Sequence, residues 1–141
     1  MSFNAKNVIN GTWGTVWLDG EEIGEMKSFQ AKDEYQKEGV SQCGKMSTGY
    51  KITGVDGKGS MSFHKVNSRI AKKIGKQVRE GKTPTFSFIS KLADPDALGY
   101  ERISYTGVVF DDLTLADFEV KVLGSVETPF SYEDYTFLDE I

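Results

Sequence analysis

Histidine and cysteine are the residues best suited to catalysis, and the sequence contains one of each, His64 and Cys43. A cysteine nucleophile needs a base within hydrogen-bonding reach. His64 ends a predicted strand, where a structural role is favoured, and Cys43 lies in a glycine-rich stretch, where an unreactive thiol is favoured. One histidine excludes a histidine pair, and one cysteine excludes an internal disulfide and a four-cysteine zinc site. We expect neither an enzyme nor a bound metal or cofactor.

Paired carboxylates are the next candidates for acid–base chemistry. They occur at Glu21-Glu22, Asp111-Asp112 and Glu133-Asp134. Each pair lies in or beside a predicted turn, where solvated acids are usual. Glycoside hydrolysis requires two carboxylates that face each other across a cleft, and adjacency in sequence does not supply that arrangement.

Glycines around Lys58 (Gly54, Gly57 and Gly59) superficially resemble a phosphate-binding loop. The G-K-[ST] pattern is missing, and a predicted strand follows instead of a helix. Without a helix N-terminus behind the glycines, the backbone dipoles that hold a phosphate are not provided.

Residues 66–80 are the one stretch with apolar side chains at helical spacing. Val66, Ile70, Ile74 and Val78 recur every fourth position, which predicts a lone helix whose stripe covers a β-core. Asn67 or Ser68 suits the start of this helix and Gly81 the position just past its end.

Five cations lie between the apolar positions of the predicted helix. They are Arg69, Lys72, Lys73, Lys76 and Arg79. Their face could meet solvent, an acidic protein or phosphate. The net charge of −4 makes nucleic acid the weakest of these options, so a protein partner is favoured over phosphate.

Length and composition indicate a single domain, residues 1–141, that is rich in β-structure. Fifteen glycines and 12% aromatic residues favour strands and turns. Charge is uneven, because seven of the seventeen basic residues lie within 65–82 and nine acids lie within 110–141. The N-terminus shows no secretory features, and no apolar run reaches membrane-spanning length. We expect synthesis in a reducing cytoplasm and no stable membrane association.

The predicted elements are mostly strands. Residues 12–18 form the first strand, Asp19-Gly20 the following hairpin turn, and residues 22–38 its partner strand. Further strands are predicted at 59–64, 83–92 and 100–110, with a bulge at Gly107. Residues 1–11 are an arm with few anchoring side chains. The expected architecture is an antiparallel β-sandwich or partial barrel that carries one helix.

Two segments are harder to interpret. Residues 39–57 contain five glycines without a clear period, which predicts a long loop. Residues 118–132 alternate in apolar character over fifteen positions, which predicts a strand of about 46 Å. Such a strand outgrows a domain of about 37 Å across, so it either breaks at Gly124 or projects from the body, and Pro129 favours an edge or bulge.

Several short motifs together resemble the tail-tube (core tail) protein family of contractile phage tails, especially the defective-prophage type of Gram-positive bacteria. The motifs are residues 18–22 (LDGEE), 46–51 (MSTGYK), 54–67 (GVDGKGSMSFHKVN) and 129–135 (PFSYEDY). The similarity in length and element order covers nearly the whole chain.

This resemblance implies a structural subunit. Hexameric rings, each closed by a shared β-barrel, would stack into a hollow tube inside a contractile sheath. The tube would deliver DNA in a phage or perforate a membrane in an R-type bacteriocin. The implied partners are other copies of the chain, the sheath, the baseplate and the tail terminator, with DNA passing unbound. The chain would be made in the bacterial host cytoplasm and reside in a virion tail or tail-like particle.

The resemblance also implies positions for the contacts. The 39–57 loop would reach an adjacent ring through Gln42, Cys43, Lys45, Met46, Thr48, Tyr50 and Lys51. The basic helix face would point towards a neighbouring subunit or the sheath. The alternative is a monomeric β-sandwich module that binds an acidic ligand through the basic helix and the glycine-rich loop.

Overall fold

The computed structural model describes residues 2–141, which form eight strands and one α-helix. In chain order the elements are two 3-10 turns (Ala5–Asn7 and Gly11–Trp13), β1 (Gly14–Leu18), β2 (Glu21–Glu22), β3 (Met26–Val40), β4 (Gly49–His64), α1 (Arg69–Arg79), β5 (Phe86–Leu92), β6 (Glu101–Phe110), β7 (Ser125–Tyr132) and β8 (Asp134–Asp139). All strand pairs are antiparallel. The predicted β-rich, one-helix fold is therefore confirmed.

Strand β6 joins two layers of the sheet. The strand order is β2-β1-β5-β6-β7-β4-β3, and β8 pairs with the same edge of β6 that β7 meets further along. The change of partner occurs at Gly107, which has φ +66° and faces a register shift in β5 between Phe86 and Phe88. An extra residue in one strand bends it and increases its twist. The predicted bulge at Gly107 thus lets β6 pass from one layer to the other.

Aromatic rings from facing strands fill the space between the layers. Phe88 of β5 and Phe130 of β7 are completely buried, with ring centroids 5.0 Å apart. Phe29 of β3 meets Phe88 at 5.5 Å and Phe130 at 5.6 Å. Edge and offset contacts of this kind add to the free energy of burying the rings. Phe88 and Phe130 both lie in segments that were predicted as strands, 83–92 and 118–132.

The first hairpin is shorter than predicted. Asp19 and Gly20 have φ +50° and +83°, the two positive values of a tight hairpin turn, so the predicted turn is confirmed. Its return strand β2 has only two residues. Strand β3 does not pair with β1; it pairs with β4, while β1 takes β5 as its second partner.

Helix α1 is shorter than the predicted 66–80 range. The side chain of Asn67 accepts a hydrogen bond from the backbone N–H of Arg69, whereas Ser68 makes no side-chain cap. At the other end Gly81 has φ +80°, and Lys82 N–H donates to the carbonyl of Gln77 at 3.0 Å. That bond across a left-handed glycine is the Schellman ending expected for Gly81.

Only half of the predicted apolar stripe of the helix is buried. Ile70 and Ile74 are buried, but Val66 and Val78 are 72% and 55% exposed. Val66 precedes the helix, and positions four apart rotate by about 40° per step, so Val78 in the last turn has left the buried side. The prediction that all four cover the core is wrong at both ends.

The predicted loop at 39–57 is a β-hairpin for most of its length. Strands β3 and β4 pair from Met26↔Phe63 out to Val40↔Gly49, which leaves only residues 41–48 as the connection. Asp56-Gly57, predicted as a turn, lies within β4. A Cβ on Gly57 would come 2.5 Å from the Tyr132 carbonyl, and one on Gly59 would come 2.5 Å from the Phe130 ring. These glycines therefore make room for β7.

The predicted strand at 118–132 begins only at Ser125. Residues 111–124 are irregular, and Phe118 and Val120 are 88% and 85% exposed. Of the two possibilities for this stretch, the break at Gly124 is the one observed. Pro129 lies where the pairing of β6 with β7 ends, since Asp111 N–H donates to its carbonyl and proline has no N–H to return.

The N-terminal residues 2–13 lie along the body with few anchors. Phe3, Val8 and Trp13 are exposed, and the backbone N–H of Asn10 donates to Asp94 at 2.8 Å. This agrees with the arm predicted for residues 1–11, of which Met1 lies outside the described residues. No helix within residues 2–141 has the length and apolar character to cross a membrane.

Candidate assembly surfaces

The outer part of the β3–β4 hairpin projects from the body as a two-stranded ribbon. Strand β4 pairs with β7 only from Gly57 to His64, so residues 34–56, here called the ribbon, have each other as their only strand partners within residues 2–141. Seven residues of β3 lie in the ribbon, which gives it a reach of about 23 Å before the connecting turn. A two-stranded hairpin alone is marginally stable in water, so a surface of this kind favours a partner.

All seven predicted contact residues lie at the outer end of the ribbon and are exposed. Gln42, Cys43, Lys45, Met46 and Thr48 belong to the connecting turn, and Tyr50 and Lys51 begin β4. Gly44 adopts φ +80° in this turn, and Lys45 N–H donates to the Gln42 carbonyl. The structure therefore places these residues together and exposed, while their contact with an adjacent ring stays a prediction.

The two faces of the ribbon differ in character. Residues directly opposite each other in an antiparallel pair share a face. The face that continues from the core therefore carries Tyr35 with Val55, Lys37 with Ile52, and Tyr50 beside Gly39. These four apolar side chains are 52–68% exposed, and Lys37 Nζ lies 5.0 Å from the centre of the Tyr50 ring. We call this set the apolar face of the ribbon.

The opposite face of the ribbon is mostly polar and acidic, with one exposed apolar residue, Val40, at its outer end. It carries Glu34, Gln36, Glu38 and Asp56, with Lys51 opposite Glu38. Gln36 donates to Asp56 at 2.6 Å across the strands. The charged and amide side chains of this face are well solvated when it is exposed.

The base of the ribbon is tied to the core by a tyrosine–carboxylate contact. The Tyr132 hydroxyl donates to Asp33 Oδ1 at 2.7 Å. Burial and this hydrogen bond, which stabilises the protonated phenol, raise the pKa of Tyr132. Burial also raises the pKa of the neighbouring Tyr105. Both tyrosines line a groove of about 220 Å³ between β3 and β8, with Tyr135 and Phe137 on its outer wall.

The basic face of α1 is partly neutralised within the chain. Arg69 donates to Glu21 at 2.8 Å and to Glu25 at 2.9 Å, and Lys73 lies 3.6 Å from Glu21. These contacts fasten the helix to the β2–β3 connection. The prediction that Arg69 and Lys73 belong to an outward-facing basic surface is therefore wrong, since the acids of residues 21–25 fold against them.

Three helix cations match the predicted outward orientation. Lys72, Lys76 and Arg79 are exposed and form no ion pair within residues 2–141. Lys76 and Arg79 border a cleft of about 500 Å³ between α1 and residues 110–115. Whether this surface meets a neighbour or the sheath stays a prediction.

A second exposed surface was missed by sequence reasoning. Residues 111–123, here called the acidic segment, carry Asp111, Asp112, Asp117 and Glu119 against one lysine, Lys121. Leu115, Phe118, Val120, Val122 and Leu123 in the same segment are 58–88% exposed. The alternation from Phe118 onwards was interpreted as part of a strand, although the acids clustered within 111–119 were a signal of an exposed segment.

The residues considered for catalysis lie apart from one another in the fold. His64 is exposed at the end of β4, and its backbone N–H donates to the Glu25 carbonyl, whereas Cys43 is exposed in the ribbon turn. The acid pairs lie in β2, after β6 and at the β7–β8 junction. The glycines around Lys58 are strand residues of β4, and Lys58 Nζ lies 3.4 Å from Ser131 Oγ.

Comparison with known proteins identifies the family. Residues 1–139 match the family model described as phage tail tube protein. The phage-like element PBSX protein XkdM of Bacillus subtilis (strain 168) is 35% identical over 137 residues, which cover 96% of this chain and 93% of XkdM.

Solved structures show the same fold at low sequence identity. One is a chain of the anti-feeding prophage cap (tube terminating cap), with TM-score 0.74, 8% identity and coverage of 99% of this chain and 97% of that one. Another is from the sheath–tube complex of an extracellular contractile injection system, PVC, in its extended state, with TM-score 0.71, 8% identity and coverage of 96% and 98%. Given the family match over 139 residues and the projecting ribbon, the chain belongs to the phage tail tube protein family and is a structural subunit of a tail tube.

Proposed function

We propose that copies of this chain assemble into hexameric rings that stack into the inner tube of a contractile tail. The ribbon carries this proposal, because a protrusion of about 23 Å with an exposed apolar face requires a covering surface. The ribbon of one subunit supplies the contact to the adjacent ring, with Gln42, Cys43, Lys45, Met46 and Thr48 at its end. Burying its four large apolar side chains between subunits supplies the free energy of stacking.

Uneven charge supports a ring built from heterologous contacts. The basic residues concentrate on and around α1, and the acids concentrate in the last thirty residues. Opposite surface patches on one chain suit head-to-tail contacts, which close into a ring when the rotation between copies allows it. Such patches also guide encounter and fix register.

The tube has a mechanical role and needs no catalytic group. It is driven through the target envelope when the surrounding sheath contracts, for DNA delivery in a phage or membrane perforation in an R-type bacteriocin. Sheath, baseplate and tail terminator are its partners, and Lys72, Lys76 and Arg79 face a neighbouring subunit or the sheath. DNA passes without specific binding, since an acidic chain offers few phosphate contacts. Synthesis takes place in the bacterial host cytoplasm.

Electron microscopy of the purified protein tests this function. The wild-type chain at high concentration, with and without baseplate as a nucleus, is expected to form rings and tubes. A matched variant replaces residues 37–53 by an Asn-Gly turn, which joins the directly opposed Gln36 and Gly54. This variant is expected to fold but not to stack. Wild-type protein that stays monomeric even with the nucleus contradicts the proposal, and tubes from the shortened variant contradict the role of the ribbon.

A further inference from the structure

The acidic segment combines acids that form no ion pair within residues 2–141 with several large apolar side chains that are mostly exposed. Asp112, Asp117 and Glu119 form no ion pair with any residue from 2 to 141. Phe118 and Leu115 are 88% and 72% exposed beside them. Large exposed apolar groups rimmed by charge are typical of protein–protein contact sites.

The ribbon has the complementary properties. Its apolar face carries Tyr35, Tyr50, Ile52 and Val55, and the only charged side chain on that face is Lys37. The turn at its end adds Lys45 and the fully exposed Met46. The acids of the ribbon all lie on its opposite face. The side of the ribbon that needs covering is therefore positively charged.

The net charges of the two surfaces are opposite. Residues 111–123 hold four acids and one lysine, a net charge of −3. The apolar face and the turn of the ribbon hold two lysines and no acid, a net charge of +2. Opposite charge around apolar centres favours encounter and register, and the apolar contact supplies the affinity.

We propose that the ribbon of one copy docks by its apolar face on the acidic segment of a second copy, with Lys37 and Lys45 set against Asp112, Asp117 and Glu119. This inference rests on the proposed function and adds the surface that receives the ribbon. The two surfaces are different parts of the same chain, so the contact is heterologous and propagates from copy to copy.

Charge reversal tests the pairing. The variants are Lys37→Glu with Lys45→Glu, Asp117→Lys with Glu119→Lys, and the combination of all four. The matched control is Asp96→Lys, which reverses an exposed acid in the loop between β5 and β6. Each double variant is expected to raise the concentration needed for assembly by at least about tenfold, and the combination is expected to restore it.

Cross-linking tests which face of the ribbon is in contact. In a Cys43→Ser background, Ile52→Cys with Phe118→Cys is expected to form disulfide-linked ladders of several chains under mild oxidation. The control is Lys51→Cys with Phe118→Cys, whose ribbon cysteine is one residue away but on the opposite face. That control is expected to give at least about fivefold less disulfide-linked product, because successive residues of a strand point to opposite faces.

The outcomes separate this inference from the function on which it rests. Restored assembly in the combined variant together with face-selective ladders supports the docking. If the wild type forms tubes but the double variants assemble normally, or the combined variant fails to recover, the docking is overturned and the tube function stands. If the wild type forms no tubes, both fall. Far-ultraviolet circular dichroism of each variant confirms that the exposed substitutions leave the fold intact.

Discussion

The Tyr132 hydroxyl donates a 2.7 Å hydrogen bond to Asp33, and this contact joins the aromatic core to the base of the ribbon. Tyr132 belongs to β7 and lies opposite Gly57 of β4, at the last residue of β4 that pairs with the body. Beyond this point the ribbon has only its own two strands. The ribbon therefore leaves the body directly beside this contact and the glycine that admits the tyrosine ring.

Removing the hydroxyl in Tyr132→Phe is expected to lower the free energy of unfolding by about 1 kcal/mol at neutral pH. The ring stays in place, so only the hydrogen bond to Asp33 is lost. Urea unfolding measures the change, and Tyr35→Phe, on an exposed ribbon residue, is the control. Equal stabilities of the Tyr132→Phe variant and the wild type contradict the structural role of the contact.

The same tyrosine predicts a loss of stability in alkali. Because its folded pKa is raised above the ordinary value of 10.0, the stabilisation is fully present below that value and decreases as the pH rises above it. For each proton held only by the folded state, the free energy of unfolding falls by about 1.4 kcal/mol per pH unit. Unfolding between about pH 9 and about pH 11 is expected to show a smaller decrease in Tyr132→Phe. Parallel curves for both proteins contradict the prediction.

The sequence predicted the elements whose side chains alternate against a core. Phe86 and Phe88, Val16 and Leu18, and Val126 and Phe130 are buried, and each pair lies in a segment that was predicted as a strand. Gly107 and Gly81 also occupy the bulge and helix end predicted for them. Each of these predictions depends on local information only, namely the alternation of neighbouring side chains or the backbone conformation that glycine permits.

The failures depend on contacts distant in sequence. Gly57 was interpreted as a turn glycine because the Tyr132 ring that covers it belongs to β7, more than seventy residues away. Arg69 was interpreted as outward-facing because its partners Glu21 and Glu25 lie more than forty residues earlier in the sequence. The ribbon was interpreted as a loop because its glycines interrupt the alternation and its apolar face has no partner within residues 2–141.

The ion pairs at the helix start predict unequal effects of two neighbouring basic residues. Arg69→Ala is expected to lower the free energy of unfolding by about 1–2 kcal/mol, because Glu25 is left without its partner. The stabilisation by these ion pairs is limited, because a third of the Arg69 side chain is exposed to solvent and its Nε has no hydrogen-bond partner within residues 2–141. Lys72→Ala, on the exposed face, is expected to change it by less than about 0.5 kcal/mol. Thermal unfolding compares the two, and equal effects contradict the assignment of Arg69 to an internal contact.

The apolar stripe of α1 predicts a similar contrast. Ile74→Ala removes a buried side chain and is expected to cost about 2–5 kcal/mol. Val78→Ala lies one turn further along, where the side chain is 55% exposed, and is expected to cost less than about 1 kcal/mol. Denaturant unfolding of the monomer measures both. A Val78→Ala loss that appears only in assembled tubes indicates that a neighbouring copy covers this residue.

The crowded glycine in β4 gives the sharpest steric prediction. A Cβ on Gly59 would overlap the Gln30 carbonyl oxygen and lie 2.5 Å from the Phe130 ring, and neither group can move away without opening the β3–β4 pairing or the aromatic core. Gly59→Ala is therefore expected to lower the free energy of unfolding by about 1–3 kcal/mol. Gly24→Ala is the matched control, because a Cβ there meets no atom of residues 2–141 within 4 Å. Its unfolding midpoint is expected to stay within error of the wild type. If both variants unfold at the same midpoint, Phe130 does not pack across Gly59, and the packing of β7 against β4 assigned to the base of the ribbon is wrong.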